Sequence, residues 1–314
     1  MAVQNETSLT TSQTSVQTDA GFTYKSTRMF EPIPPSTVDL LFFKKLYSSL
    51  KASTDEIADH DISRLVQPPD QTTEQFNSFK IYAKTLYKVT IHIYGSRGEY
   101  IFTENPGIFD DPSLPDRINR VIFENSTRFK TFAQREPVNQ FRITFDFTTP
   151  PIFDFNISPS LATPVNSSLD IFGQNETWVS GTYRKVVELL GNRKNKHGWL
   201  HRNNVWDLFL WLAIMPIIFR ILFVLQKSIT PHLPNISGVL KGAIYVYAFF
   251  LLLNAFRFIF SYARWVFPYL ELETPLKKTN LHRLILGTIV LSIVGTMGYE
   301  VVMWCIRTLW GLDV

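Results

Sequence analysis

The hydrophobic pattern changes period several times along the chain. Apolar Leu40, Phe43, Leu46, Tyr47 and Leu50 recur at helical spacing behind two prolines and the start signal Ser36-Thr37-Val38-Asp39, which predicts an amphipathic helix from about Thr37 to Lys51. Asp55 to Phe79 is polar, holds Pro68-Pro69 and reads as a connection with room for one short helix. From Thr85 the period becomes two. Tyr87, Val89, Ile91 and Ile93 alternate with Lys88, Thr90, His92 and Tyr94. Gly95-Ser96-Arg97-Gly98 and Tyr100-Ile101-Phe102 follow, completing a β-hairpin whose glycines supply the positive φ of the turn. Ile118 to Glu124, Gln140 to Phe147 and Ile152 to Ile157 add strand-like runs. Val179, Tyr183, Val186, Val187 and Leu190 then return to helical spacing over Trp178 to Leu190, with Asn175 or Thr177 as cap. The expected fold is an α+β domain over 31–200, with an antiparallel sheet of four or five strands and flanking helices. A disordered tail over 1–30 precedes it, because Met1 to Ala20 is rich in Ser, Thr and Gln and lacks the apolar core of a signal peptide.

Beyond residue 200 the alternation gives way to long apolar runs. Val205 to Gln226, Val239 to Trp265 and Leu284 to Ile306 each reach the roughly 20 residues needed to cross a hydrocarbon layer of about 30 Å. Three transmembrane helices are therefore expected within 201–314. Pro216 and Arg220 interrupt the first, so an interfacial or re-entrant helix is its alternative.

Charge refines this division. The chain carries 22 Lys+Arg and 22 Asp+Glu through Asn204, and 9 and 5 after it, so the net +4 resides wholly in the apolar part. That distribution suits membrane flanks and makes nucleic acid an unexpected partner. Arg184, Lys185, Arg193, Lys194, Lys196 and Arg202 precede the first span, and Lys277, Lys278 and Arg283 lie between the second and third. The positive-inside rule then predicts a multi-pass protein of the cell membrane with a cytoplasmic N-terminal domain and an external C-terminus. Trp199, Trp206, Trp265, Trp304 and Trp310 fall at the proposed interfaces. Six Asn-x-Ser/Thr triplets, at Asn5, Asn125, Asn156, Asn166, Asn175 and Asn235, are read as chance in an Asn/Ser/Thr-rich sequence. Cys305 stands alone, which rules out an intrachain disulfide.

Candidate chemistry is concentrated in the apolar part, since a charge in hydrocarbon is costly and seeks a partner or a wet cavity. At 1.5 Å per residue, Arg220 lies about 22 Å into the first span and Glu300 about 24 Å into the third, so the two are expected to pair at equal depth. Thr288, Ser292 and Thr296 lead to Glu300 every fourth residue and form a stripe suited to helix packing. Arg257, Arg264 and Asp207 are placed at the cytoplasmic interface, the arginines reaching head groups. Asn254 is a candidate interhelical hydrogen-bonding group. His197 and His201, four apart but without a third ligand, make a weak metal pair, and no metal or other cofactor is expected. Asp110-Asp111 beside Pro112 reads as a turn, and Arg97 as a solvated hairpin tip. No P-loop, dinucleotide fingerprint, nucleophile elbow or HExxH motif occurs, so no enzymatic activity is indicated. The expected role is a membrane-anchored sensor or interaction protein whose partners are the bilayer, an unidentified protein or ligand at the cytoplasmic domain, and a second copy in a homo-oligomer. The alternative is an oligomeric pore or transport component using Arg220 and Glu300.

Overall fold

Six antiparallel strands in the order β2-β8-β7-β6-β4-β5 make the central sheet, and β1 extends it beyond β2 as a seventh. They are β1 (Thr11–Asp19), β2 (Phe22–Pro32), β4 (Thr90–Gly95), β5 (Tyr100–Thr103), β6 (Ile118–Glu124), β7 (Gln140–Asp146) and β8 (Ser168–Gly173). The computed structural model describes residues 11–19, 22–149, 159–229, 237–273 and 281–288, with 291, 292, 295, 299 and 303 beyond them. The chain divides into two compact units. Unit 1 takes Met1–Thr148, Thr163–Gly198 and Tyr269–Glu273; unit 2 takes Thr149–Ala162, Trp199–Pro268 and Thr274–Val314. Most of unit 1 thus precedes Gly198 and most of unit 2 follows it, with the segments Thr149–Ala162 and Tyr269–Glu273 exchanged.

In unit 1, helices α1 (Leu40–Ser63) and α4 (Glu176–Gly191) cover one face of the sheet. The core lies between them, built from Phe42, Phe43 and Leu46 of α1, Val179 and Val186 of α4, and the inward strand residues Ile91, Ile93, Val121, Phe123, Ile143, Phe145 and Ile171. Phe43 is its centre. Its ring meets those of Phe109, Phe123 and Phe145 at 5.3, 5.8 and 5.2 Å. The glycine-bearing hairpin of β4 and β5 forms as predicted, with Gly98 at φ +90°.

Several elements differ from expectation, each for a local reason. The sheet has six strands besides β1, where four or five were predicted. The tail expected to be unstructured supplies β1 and β2, because β2 follows a period-two pattern that turns Met29 toward the core and Arg28 and Phe30 away from it. Helix α1 runs twelve residues past Lys51, to Ser63. Its second half looks polar, yet Thr54 Oγ1 donates to the Leu50 carbonyl and the Ser53 carbonyl accepts from Trp178 Nε1, so both residues are buried with partners. Helix α2 (Thr73–Leu86) opens on a Thr72/Gln75 capping box inside the stretch read as a connection. Strand β8 has only Leu169 and Ile171 pointing inward, too short an alternation to stand out. Its Gly173 lets β7 approach, since a Cβ there would sit 3.2 Å from Asn139 Cα. The run Ile152 to Ile157 lies outside the described residues.

A second, parallel pair joins β3 (Ser36–Val38) to β9 (Leu270–Leu272), a segment 234 residues later in the chain. Leu270 is buried in the unit 1 core, the Tyr269 carbonyl accepts from Ser36 N, and Glu273 N donates to the Val38 carbonyl at 2.7 Å. Asp39, predicted as part of the helix start, is the N-cap of α1.

Unit 2 contains two helices long and apolar enough to cross a membrane, Val205–Ser228 and Gly238–Val266. The second is α7 (Gly238–Val266). The first is composite: α5 (Val205–Phe209), one π-helical stretch over Leu210–Ile214, then α6 (Met215–Ile229). The π turn lies just before Pro216, which cannot donate to residue 212 and would crowd its carbonyl in a regular helix; the widened turn keeps the helix continuous. Only 11% of the most apolar window of each helix is buried, whereas the core helix of a water-soluble protein would be mostly buried. Among the described residues there are two such helices, not the three expected; the third apolar run, Leu284 to Ile306, falls largely outside them.

Phe43→Ala should destabilise unit 1 by about 3–5 kcal/mol, since it deletes a fully buried ring that other rings cannot collapse to replace. Urea unfolding followed by near-UV dichroism checks this, and a loss under about 1 kcal/mol would mean that Phe43 is not the centre of the core.

Candidate functional site: the uncovered face of the sheet

The sheet face opposite α1 and α4 carries a mixed polar and aromatic surface. Period two places Thr90, His92 and Tyr94 of β4 there, beside Tyr100 and Phe102 of β5, Arg120, Ile122 and Glu124 of β6, Arg142 of β7, Asp170 of β8 and Arg28 of β2. Register aligns Glu124 opposite Arg142 and Arg142 opposite Asp170. Arg28 completes the charged row, donating to both carboxylate oxygens of Asp170 at 2.8 and 2.6 Å. These side chains, with Lys130, Glu136 and Phe172, line a groove of about 460 Å³. Its charges alternate in sign.

At the β4 end of this row lies a tight hydrogen-bond network around Glu124. Thr127 Oγ1, on the first turn of α3 (Thr127–Ala133), donates to Glu124 Oε1 at 2.6 Å, and His92 Nε2 stands 3.4 Å from the same oxygen. Arg142 Nε is 3.7 Å from Oε2. The other ring nitrogen of His92, Nδ1, is 2.8 Å from the Tyr100 hydroxyl. Because the carboxylate can only accept, Nε2 carries the proton facing it, and in the neutral ring Nδ1 accepts from Tyr100. Burial alone would push the Glu124 carboxyl up; the hydrogen bonds from His92 and Thr127 and the charges of His92 and Arg142 outweigh it and hold it down at about 2. Burial, Tyr94 and Glu124 push the Tyr100 phenol up, so it stays protonated beside His92 Nδ1.

Aromatic rings continue the face past His92. Phe102 meets the imidazole edge-on at 5.1 Å, and Tyr94 lies 5.0 Å from Tyr100. Tyr100 is 53% and Phe102 47% exposed, so this end of the sheet offers apolar area to solvent. The face therefore combines ring surfaces with pre-ordered donors and acceptors, the composition of a binding surface.

The residues singled out from sequence lie elsewhere. Asp207, on α5, accepts from Ser160 Oγ at 2.9 Å. Arg264, near the end of α7, is buried rather than extended toward head groups: it donates to the Leu200 and Leu161 carbonyls at 3.1 and 3.3 Å and lies over the Phe260 ring. Arg257 is half-buried on α7, and Arg220 lies on the surface of α6. The proposed partner Glu300 and the stripe residue Thr296 lie outside the described residues. Thr288 and Ser292 are exposed and donate to carbonyls four residues back, Leu284 and Thr288. Asn254 likewise donates within its own helix, to the Phe250 carbonyl, not across to another. His201 is buried with Nε2 2.6 Å from the Phe267 carbonyl, and among the described residues no group of three or more His, Cys, Asp or Glu side chains can hold a metal ion. Asp111 forms a turn by accepting from Ser113 N, and Asp110 pairs with Lys44. Compared with protein families, curated proteins and solved structures, the chain finds no match.

The low Glu124 value gives a signed expectation. A carboxyl depressed on folding contributes stability that is complete above its ordinary value near 4.5 and vanishes as pH falls toward 2, with a ceiling of about 3 kcal/mol. Glu124→Gln should therefore be less stable than the parent near neutral pH, and the gap should close on acidification below about pH 4. Urea midpoints across that range check it; a gap unchanged by acid would exclude the network as its source.

Proposed function

We propose that the chain is a multi-pass membrane protein that binds a ligand or partner through its α+β unit, with the apolar helices serving as anchor and the charged, aromatic sheet face as the binding surface. The observation that carries this reading is the contrast between the two units. One has a core of its own yet leaves the opposite sheet face without a roofing helix among the described residues, and the other leaves most of two long apolar helices unburied. Both surfaces call for something outside the chain: hydrocarbon for the helices, a polar-aromatic occupant for the sheet.

The basic residues of 184–202 support a cytoplasmic α+β unit, and the apolar run Leu284 to Ile306 supports a third span ending in an external C-terminus. Compartment-sensitive reporters fused before Met1 and after Val314 test this arrangement. The expected signals are cytoplasmic at Met1 and external at Val314. Both signals from one side would reduce the anchor to two spans, and an external signal at Met1 would reverse the orientation.

A further inference from the structure

Among the described residues the central sheet ends in β1 on one side and β5 on the other, and the two edges differ in kind. Strand β1 is built from Thr, Ser, Gln and Asp except for Val16, so it presents no apolar ladder. Strand β5 is Tyr100-Ile101-Phe102-Thr103, and β4 is its one neighbour in the sheet. It holds neither the charged residues nor the proline that commonly keep an exposed edge from pairing.

The register of the hairpin decides what that edge offers. Gly95 N donates to the Glu99 carbonyl at 2.8 Å, and Tyr94, Ile93, His92 and Ile91 then face Tyr100, Ile101, Phe102 and Thr103 in turn. Antiparallel pairs alternate between bonded and non-bonded, so the main chains of Ile101 and Thr103 bond to β4 while those of Tyr100 and Phe102 point away from it. Their N–H and C=O groups line the edge, beside the exposed rings of the same residues. Such a row is completed by one more strand.

The edge is its own complement. In an antiparallel pair of two β5 strands with a two-fold axis beside Ile101, Tyr100 of each copy faces Phe102 of the other, and every outward N–H of either copy meets an outward carbonyl. Neighbouring registers do worse. An axis at Phe102 would set Tyr100 against Glu104, whose carbonyl already accepts from Tyr47 Oη, and an axis at Tyr100 would set Phe102 against Gly98 in the turn. Directly opposed side chains share a face, so Tyr94, Tyr100 and Phe102 of both copies would gather across the seam, and Glu99 would meet Thr103 rather than a like charge. A free peptide is the poorer occupant. It loses backbone freedom in being fixed as a strand, whereas β5 of a second copy is already held extended by β4.

We propose that β5 pairs with β5 of a second copy of the chain, antiparallel and centred on Ile101, so that two α+β units share one continuous sheet. The inference concerns the edge of the sheet and does not rest on the binding role proposed for its face. The contact is small, so the dimer is reversible, with a dissociation constant on the order of 1 μM. The full chain in detergent micelles at about 100 μM, well above that constant, tests it by sedimentation and by oxidative cross-linking in a Cys305→Ser background. The parent is expected to sediment as a dimer. Ile101→Cys meets its own copy at about 4.5 Å between Cα atoms, within disulfide range, whereas the two copies of Thr103→Cys stand about 14 Å apart. Cross-linking at 101 is therefore expected to be at least about tenfold faster than at 103. Phe102→Pro removes an outward N–H and a ring without touching a bond to β4, so it should yield a monomer with an unchanged urea midpoint. The cysteine comparison stands whatever Phe102→Pro does to folding. A monomeric parent, cross-linking as fast at Thr103 as at Ile101, or a dimer that survives Phe102→Pro would overturn the proposal.

Discussion

The carboxylate of Asp39 sits where the fold of unit 1 is tied together. One oxygen accepts from Phe42 N at 2.6 Å and starts α1; the other pairs with Arg193 at 3.0 Å, just past the end of α4. The strand β3 that leads into it receives β9 along one edge, and Thr37 N donates to the Arg193 carbonyl. Both helices that roof the sheet and the late-arriving strand thus meet within a few residues. A capped start fixes the direction of α1, and that direction delivers Phe42, Phe43 and Leu46 to the inner face of the sheet. Without it the aromatic core would have no defined entry angle.

The two faces of the sheet follow from this one-sided roof. Apolar residues at alternate positions are drawn under the helices, so their neighbours must face outward, and there long side chains satisfy one another across strands. Ile122 illustrates how far this goes: it points to the uncovered side yet is 4% exposed. The outward charges are mutually paired to a large extent, which limits their worth to stability because exposed pairs contribute little. Glu124 is the exception, since its side chain is 12% exposed and three neighbours hold it.

Periodicity made the long-patterned elements legible. The β4–β5 hairpin, Ile118–Glu124 and the Asn175-capped helix α4 follow directly from the alternation and spacing of their apolar residues. What failed were elements whose pattern is completed by distant partners. The polar second half of α1 is helical because Trp178, 125 residues away, bonds Ser53. Strand β9 is three residues long and unremarkable until β3 is beside it. The sheet-face network was illegible for the same reason: His92, Tyr100, Glu124 and Thr127 are scattered over four elements, and only strand register and the turn into α3 unite them. Intramembrane depth, which singled out Arg220 and Glu300, is a linear measure and carries no information on which way a helix turns its faces.

Strand β9 has a consequence for biogenesis. Synthesis proceeds from the N-terminus, so β3, α1 and the whole central sheet emerge long before residues 270–272. Between them come both long apolar helices, which are synthesised while the edge of β3 stays open and the core lacks Leu270. Completion of the α+β unit is thereby placed after the synthesis of both apolar helices in time. A truncation after residue 200, the natural cut for a soluble fragment, would leave that unit permanently one strand short.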